Sequence, residues 1–187
     1  MTGLDLSVDA LVEVAVLVTD SELNVLDEGI DVLIKPSEES LAQMRDVVRT
    51  MHTTSGLLDE LQHGTTMSEA TEAVLEYVRR HVPDPRKAPL AGNSVGTDRG
   101  FIARDMPELD EHLHYRIIDV SSIKELARRW YPRAYFQAPA KAGGHRALAD
   151  IRESITELRY YREAVFVPAP GPDSAAAKAA AERTAPA

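Results

Sequence analysis

At 187 residues, with 44% hydrophobic and 27% charged residues, the chain has the make-up of one soluble globular domain with a proper core. A net charge of −9 argues against a protein that lives on long nucleic acid, whose affinity would need a broad basic surface to neutralise phosphates. With no cysteine, disulfides, thiolate zinc sites and cysteine nucleophiles are excluded.

No apolar run approaches the ~20 residues that cross a bilayer. The opening Met1-Thr2-Gly3-Leu4-Asp5 has none of the basic and apolar regions of a secretory signal. No membrane partner is expected, and the cytoplasm is the expected compartment. Leu11 to Val18 is β-branched and nearly continuous, the pattern of a largely buried strand. Turn chemistry at Asp20-Ser21-Glu22-Leu23-Asn24 and a second strand over Val25 to Ile34, interrupted by Gly29, make an antiparallel hairpin. Ser37 is an N-cap for a short helix through Met44.

Asp46 to Gly64 reads as short helical pieces broken at Ser55-Gly56. Thr66-Met67-Ser68-Glu69 is a capping box, and Ala70, Val74, Tyr77 and Val78 give the following helix one apolar face. Pro83, Pro85 and Pro89 end it. A short strand at Leu90 to Ser94 leads into a helix from about Thr97 to Met106, and His112 to Val120 is a further strand. Ser122-Ile123-Lys124-Glu125 reads as a second capping box, opening a helix that ends near Trp130 before Pro132. A loop over 133 to 144 precedes the last helix, Arg146 to Arg162. Residues 168 to 187 are rich in proline and alanine, with no apolar face to bury, and read as a disordered tail, at most transiently helical. Strands first, then helices alternating with strands, predict an α/β sandwich with a mixed sheet.

Polar segments recur where strands give way to helices: 92 to 98, 119 to 122, and 143 to 154. Ligands of open α/β sheets gather at such strand ends and helix N-termini. Asp98 and Asp150, each early in a helix, could converge on one hard cation such as Mg²⁺ or Mn²⁺. His145, five residues before Asp150, would suit a general base for a water attacking phosphorus. The plainer readings make Asp98 a complement to the helix dipole, Asp150 a solvated helix residue and His145 a cap or loop residue.

Ordered motifs carry a resemblance that spacing alone does not. They are Leu17-Val18-Thr19-Asp20, Thr53-Thr54-Ser55-Gly56-Leu57, Gly92 to Arg99, His114-Tyr115-Arg116, Asp119-Val120-Ser121, Lys124 to Trp130, and His145 to Ile151. With Met1-Thr2-Gly3-Leu4-Asp5, they make the chain, from Met1 to about Val167, resemble the oligoribonuclease family in the DEDDh branch of the DnaQ-like 3′-to-5′ exonucleases.

The resemblance implies an RNase H-like mixed β-sheet flanked by helices, with an exonuclease domain over 1–167. It implies a homodimer that removes 5′-mononucleotides from very short RNA oligonucleotides, dinucleotides above all, using two divalent cations, Mg²⁺ or Mn²⁺. Asp98 and Asp150 match the third and fourth acids of the DEDD set, and His145 the general base. Tyr115 matches a tyrosine that reaches the site from the other subunit. Ser94, Arg116 and Ser121 match a cap on the substrate's 5′ phosphate, Leu4 a wedge between two bases, and His52 lies at an expected substrate contact. Plainer roles stand beside these: Leu4 in the core, Ser94 and Ser121 as strand-end caps, His52 at the surface, and Tyr115 and Arg116 as an exposed edge pair.

The first two acids of that family form Asp-x-Glu directly before Met-Thr-Gly-Leu, where this chain begins. The expectation is that the natural frame continues upstream with a strand ending in Asp-x-Glu. As printed, the fold lacks its first strand, which should expose the apolar surface of Leu11 to Val18 and an unpaired edge. Two alternatives remain: a short-nucleotide-binding protein impaired in catalysis, and a general exonuclease acting on longer DNA or RNA.

Overall fold

The structure is a computed structural model in which residues 1–141 and 143–185 are described. Strands β1 (Glu13–Val16) and β2 (Ile30–Leu33) pair antiparallel, in register Val14↔Val32. They are followed by α1 (Glu38–Gln43), α2 (Asp46–Thr54), α3 (Leu57–Glu60), a 3-10 turn at Leu61–His63, and α4 (Met67–His81). Strand β3 (Pro89–Gly92) precedes α5 (Val95–Asp105) and α6 (Pro107–His112). Strand β4 (His114–Asp119) runs parallel to β3 and leads directly into α7 (Val120–Trp130). Helices α8 (Pro132–Phe136), α9 (Ala147–Ala164) and α10 (Ser174–Thr184) complete the order.

The α/β class and the mixed pairing are as expected, with one division: the strands form two two-stranded sheets, one antiparallel and one parallel. The apolar surface of the first hairpin strand is not left bare. Leu11, Val12 and Val14 are buried, because α4 and α9 pack against the hairpin and the Thr2 amide donates to the Ala10 carbonyl. The main core joins Leu11, Val14 and Ile34 to the predicted face of α4 and to Phe101, Met106 and Leu109. Among the described residues no helix is long and apolar enough to cross a membrane.

Both caps read before the first long helix are present. Ser37 accepts from the Ser40 amide, and the Thr66–Glu69 box is closed in both directions. Glu69 Oε2 accepts from the Thr66 amide at 3.0 Å and from the hydroxyls of Thr65 and Thr66 at 2.5 and 2.7 Å. These donors, the Thr65 hydroxyl first, hold its carboxyl down from 4.5 to about 2. A depressed pKa stabilises the fold above the unfolded value, and that stability is lost as pH falls through the folded value. In denaturant titrations wild type is expected to exceed Glu69→Gln in stability at neutral pH. The difference should narrow steadily as pH drops from about 4.5 toward about 2; a constant difference would refute this role.

Two local readings need correction. The second capping box is not used: Asp119 caps α7 three residues earlier, its side chain accepting from the Ser121 amide, so Ser122 and Glu125 lie inside the helix. The segment read as a loop after Pro132 begins with α8, because proline at the first position of a helix sacrifices no hydrogen bond. The tail, read as disordered or transiently helical, carries α10 behind an Asp173 cap, with alanine propensity in its favour and none of its residues buried. Residue 142 of the loop and residues 186 and 187 of the tail lie outside the described residues.

Candidate active site

Asp98 sits in the first turn of α5 and Asp150 in the first turn of α9. Burial pushes the Asp98 carboxyl above the ordinary carboxylate range; its own backbone amide and the Met1 α-ammonium pull it back, and Asp119 adds to the rise. Asp150 is exposed, yet the protein packed on one side of it is enough to push its carboxyl up, against the opposing pull of His145. His145 is exposed on the loop before α9 and has φ +51°, a left-handed backbone that a non-glycine residue adopts at a cost.

His52 is not a surface histidine. It is 4% exposed, and its Nε2 lies 2.9 Å from the Met1 carbonyl oxygen, whereas its Nδ1 is buried without a hydrogen-bond partner. Burial lowers its pKa, which favours the neutral ring. Leu4 is not core: it is 65% exposed on the loop after Gly3.

Ser94 and Ser121 come from different strand ends and meet, with their hydroxyls 3.2 Å apart. Asp119 arranges this meeting, since its Oδ1 accepts from the amides of both serines at 3.0 and 2.9 Å. Ser94 itself adopts a left-handed backbone, φ +53°, and its side chain does not cap α5. Arg116 and Tyr115 project from β4, where the guanidinium lies 5.4 Å from the tyrosine ring centre. Tyr115 is 72% exposed and stacks on His114 at 4.5 Å.

Three side chains behind these residues have roles that their sequence positions alone did not show. Asn93 accepts from the Ser121 hydroxyl and donates to Ser154 and Glu157 of α9. Glu157 is buried and pairs with Lys124 at 3.0 Å and Lys141 at 2.8 Å. Its carboxyl lies below the ordinary range because the hydrogen bonds from Lys141, Lys124 and Asn93 together outweigh burial, the largest single influence, which acts the other way. Glu13 is the third, a lone carboxylate within the apolar run of β1, and that interruption was the signal available in the sequence.

The Exonuclease family model matches residues 1–158. The chain is 72% identical to an oligoribonuclease of Streptomyces griseus, over 98% of this chain and 91% of that protein. It is 63% identical to one from Cutibacterium acnes, over 93% and 86% of the two chains. For one from Rhodococcus jostii the identity is 62%, over 100% and 94%. The chain belongs to the oligoribonuclease family. It is therefore a nuclease with an RNase H-like exonuclease domain, and its helices flank small antiparallel and parallel ladders. Exonucleases of this family generally use divalent metal ions. Asp98 and Asp150 have the hard oxygen donors such ions prefer. Among the described residues, however, no three of His, Asp and Glu stand close enough together to hold a metal ion, so the residues present do not complete such a site.

Proposed function

We propose that the chain is a 3′-to-5′ exoribonuclease that degrades very short oligoribonucleotides, preferably dinucleotides, to 5′-mononucleotides. The observation that carries this reading is the convergence of Ser94 and Ser121 under one Asp119 carboxylate, with Arg116 on the same strand as Asp119. Two hydroxyls and a forked guanidinium suit the oxygens of a terminal phosphate. A cap at a fixed distance from the hydrolytic residues measures substrate length. The oligoribonuclease names of the relatives support the substrate class.

In this reading Leu4, exposed on its loop, wedges between the two bases, whereas His52, expected at the substrate, is buried beneath the Met1 carbonyl and supports that segment from behind. His145 takes the proton from the attacking water. Two divalent cations, Mg²⁺ or Mn²⁺, belong to the reading; Asp98 and Asp150 would be two of their ligands and do not complete the site by themselves. The protein works as a homodimer in the cytoplasm, with Tyr115 reaching the site of its partner. The exposed aromatic rings of Tyr115, Trp130 and Phe136 on β4, α7 and α8 are apolar surface that a partner subunit could cover. A sedimenting mass of a single chain would remove the dimer.

Incubation with an RNA dinucleotide and Mn²⁺ tests the activity. Cleavage is expected for the 5′-phosphorylated dinucleotide, stopped by a chelator, and Arg116→Ala should cost about 10-fold or more in kcat/KM, the worth of one charge-assisted contact. The penalty should largely vanish on a 5′-hydroxyl dinucleotide. Equal rates on long and two-residue RNA would instead identify a general exonuclease. A second reading, a short-nucleotide-binding protein impaired in hydrolysis, draws on the finding that among the described residues no three of His, Asp and Glu are placed to hold a metal ion. Binding of the phosphorylated dinucleotide without cleavage would establish it.

A further inference from the structure

Helix α9 carries Asp150 in its first turn and follows His145 directly, yet it begins without a cap of its own. Arg146 stands at the N-cap position and makes no side-chain cap hydrogen bond there. The segment before it has little to hold it: nothing lies within 4 Å of where side chains would begin at Gly143 and Gly144. The middle and end of α9 are tied down separately, through Asn93 to Ser154, through the lysine pairs of Glu157, and through Arg162 to Glu22. What fixes the first turn comes from a different element.

That element is β1. The Glu13 side chain is 5% exposed, and both of its oxygens are engaged. Oε1 accepts from Arg146 Nε at 2.8 Å, and Oε2 accepts from the Ala147 amide, the first amide of α9, at 3.1 Å. The rest of the Arg146 fork donates to both oxygens of Glu60, at 3.3 and 3.0 Å. A carboxylate on a helix N-terminus satisfies an otherwise orphaned amide and complements the helix dipole. The Arg146 guanidinium offsets the cost of burying that charge.

We propose that Glu13 is a positioning residue of this nuclease: its carboxylate clamps the first turn of α9 through Arg146 and the Ala147 amide, and so sets where His145 and Asp150 stand. The residue touches neither substrate nor water in this role. Its part in turnover rests on the hydrolytic reading of His145 and Asp150 given above, whereas the clamp itself does not.

Hydrogen–deuterium exchange and dinucleotide cleavage, measured on Glu13→Ala, Glu13→Gln, Glu13→Asp and Arg146→Ala, separate the two. Exchange over 147–150 is expected to rise about 10-fold or more in Glu13→Ala, with the rest of α9 unchanged, since a helix end opens locally when its partner is lost. The kcat should fall about 10–100-fold, the usual cost of losing a group that orients a site residue, with KM moving far less. Glu13→Asp, which keeps the charge, should recover part of the loss. Should Glu13→Ala fail to fold, Glu13→Gln keeps the volume and still removes the charge that holds Arg146. Unchanged exchange in a folded variant overturns the clamp, and faster exchange with wild-type kcat overturns the positioning role. If the wild type does not cleave the dinucleotide, the hydrolytic reading falls, and the exchange result alone decides the clamp.

Discussion

Replacing His145 by asparagine is expected to lower kcat on a 5′-phosphorylated RNA dinucleotide by about 10²–10⁴-fold, the usual contribution of a positioned general base. KM should change little, because in the proposed reading the ring acts on the attacking water and not on the phosphate assigned to Ser94, Arg116 and Ser121. The choice of asparagine matters. His145 has φ +51°, and asparagine tolerates that backbone where alanine would not. His145→Gly removes the ring and any steric cost of the backbone together. If both variants fold with unchanged melting temperature and both lose the activity, the ring is responsible. If His145→Gly keeps wild-type kcat, the histidine is a loop residue and the base lies elsewhere.

That backbone also shows which parts of the site were legible in the sequence. Residues whose role depends on one local pattern could be read directly: the Thr66–Glu69 box, the Ser37 cap and the apolar face from Ala70 to Val78 all stand where spacing put them. Residues whose role depends on a distant partner could not. Ser122 and Glu125 have the spacing of a capping box, but Asp119 starts the helix earlier by accepting from the Ser121 amide, and the same carboxylate is held by the Ser94 amide, 25 residues away. His52 was expected at the substrate, or more plainly at the surface, and neither reading could show that the N-terminal segment lies over it. Leu4 is apolar, so it read equally well as core, and only the fold leaves it in solvent. Glu13 is the sharpest case. A single acid in a buried strand is costly unless paired, and its partners, Arg146 and Ala147, lie more than 130 positions along the chain.

The distant pairings share a direction. Asn93 follows β3 and Glu157 belongs to α9, and the Asn93 amide joins Ser121 to both Ser154 and Glu157. The pair of serines proposed for the 5′ phosphate is thereby fastened to the helix that carries Asp150. One rigid element thus spaces the two ends of the proposed substrate, which is how a protein can prefer two nucleotides over twenty without a basic track.

Phe101→Ala is expected to be the most destabilising single change near the site. Phe101 is 0% exposed and packs in the main core with residues of α4, β1 and α6, and a buried phenylalanine cut to alanine costs about 3–5 kcal/mol. A domain of this size has roughly 5–15 kcal/mol in total. The loss should appear as a lower denaturant midpoint with little change in slope. Its functional consequence follows from helix geometry. Phe101 lies three residues after Asp98 on α5, nearly one turn along, so the ring that anchors the helix also holds the carboxylate in place. Phe101→Leu refills much of the volume and should recover most of the stability. Because α5 keeps its register in that variant, activity should return with it. If Phe101→Leu restores the midpoint but leaves kcat depressed, the aromatic ring has a part in placing Asp98 beyond filling the core.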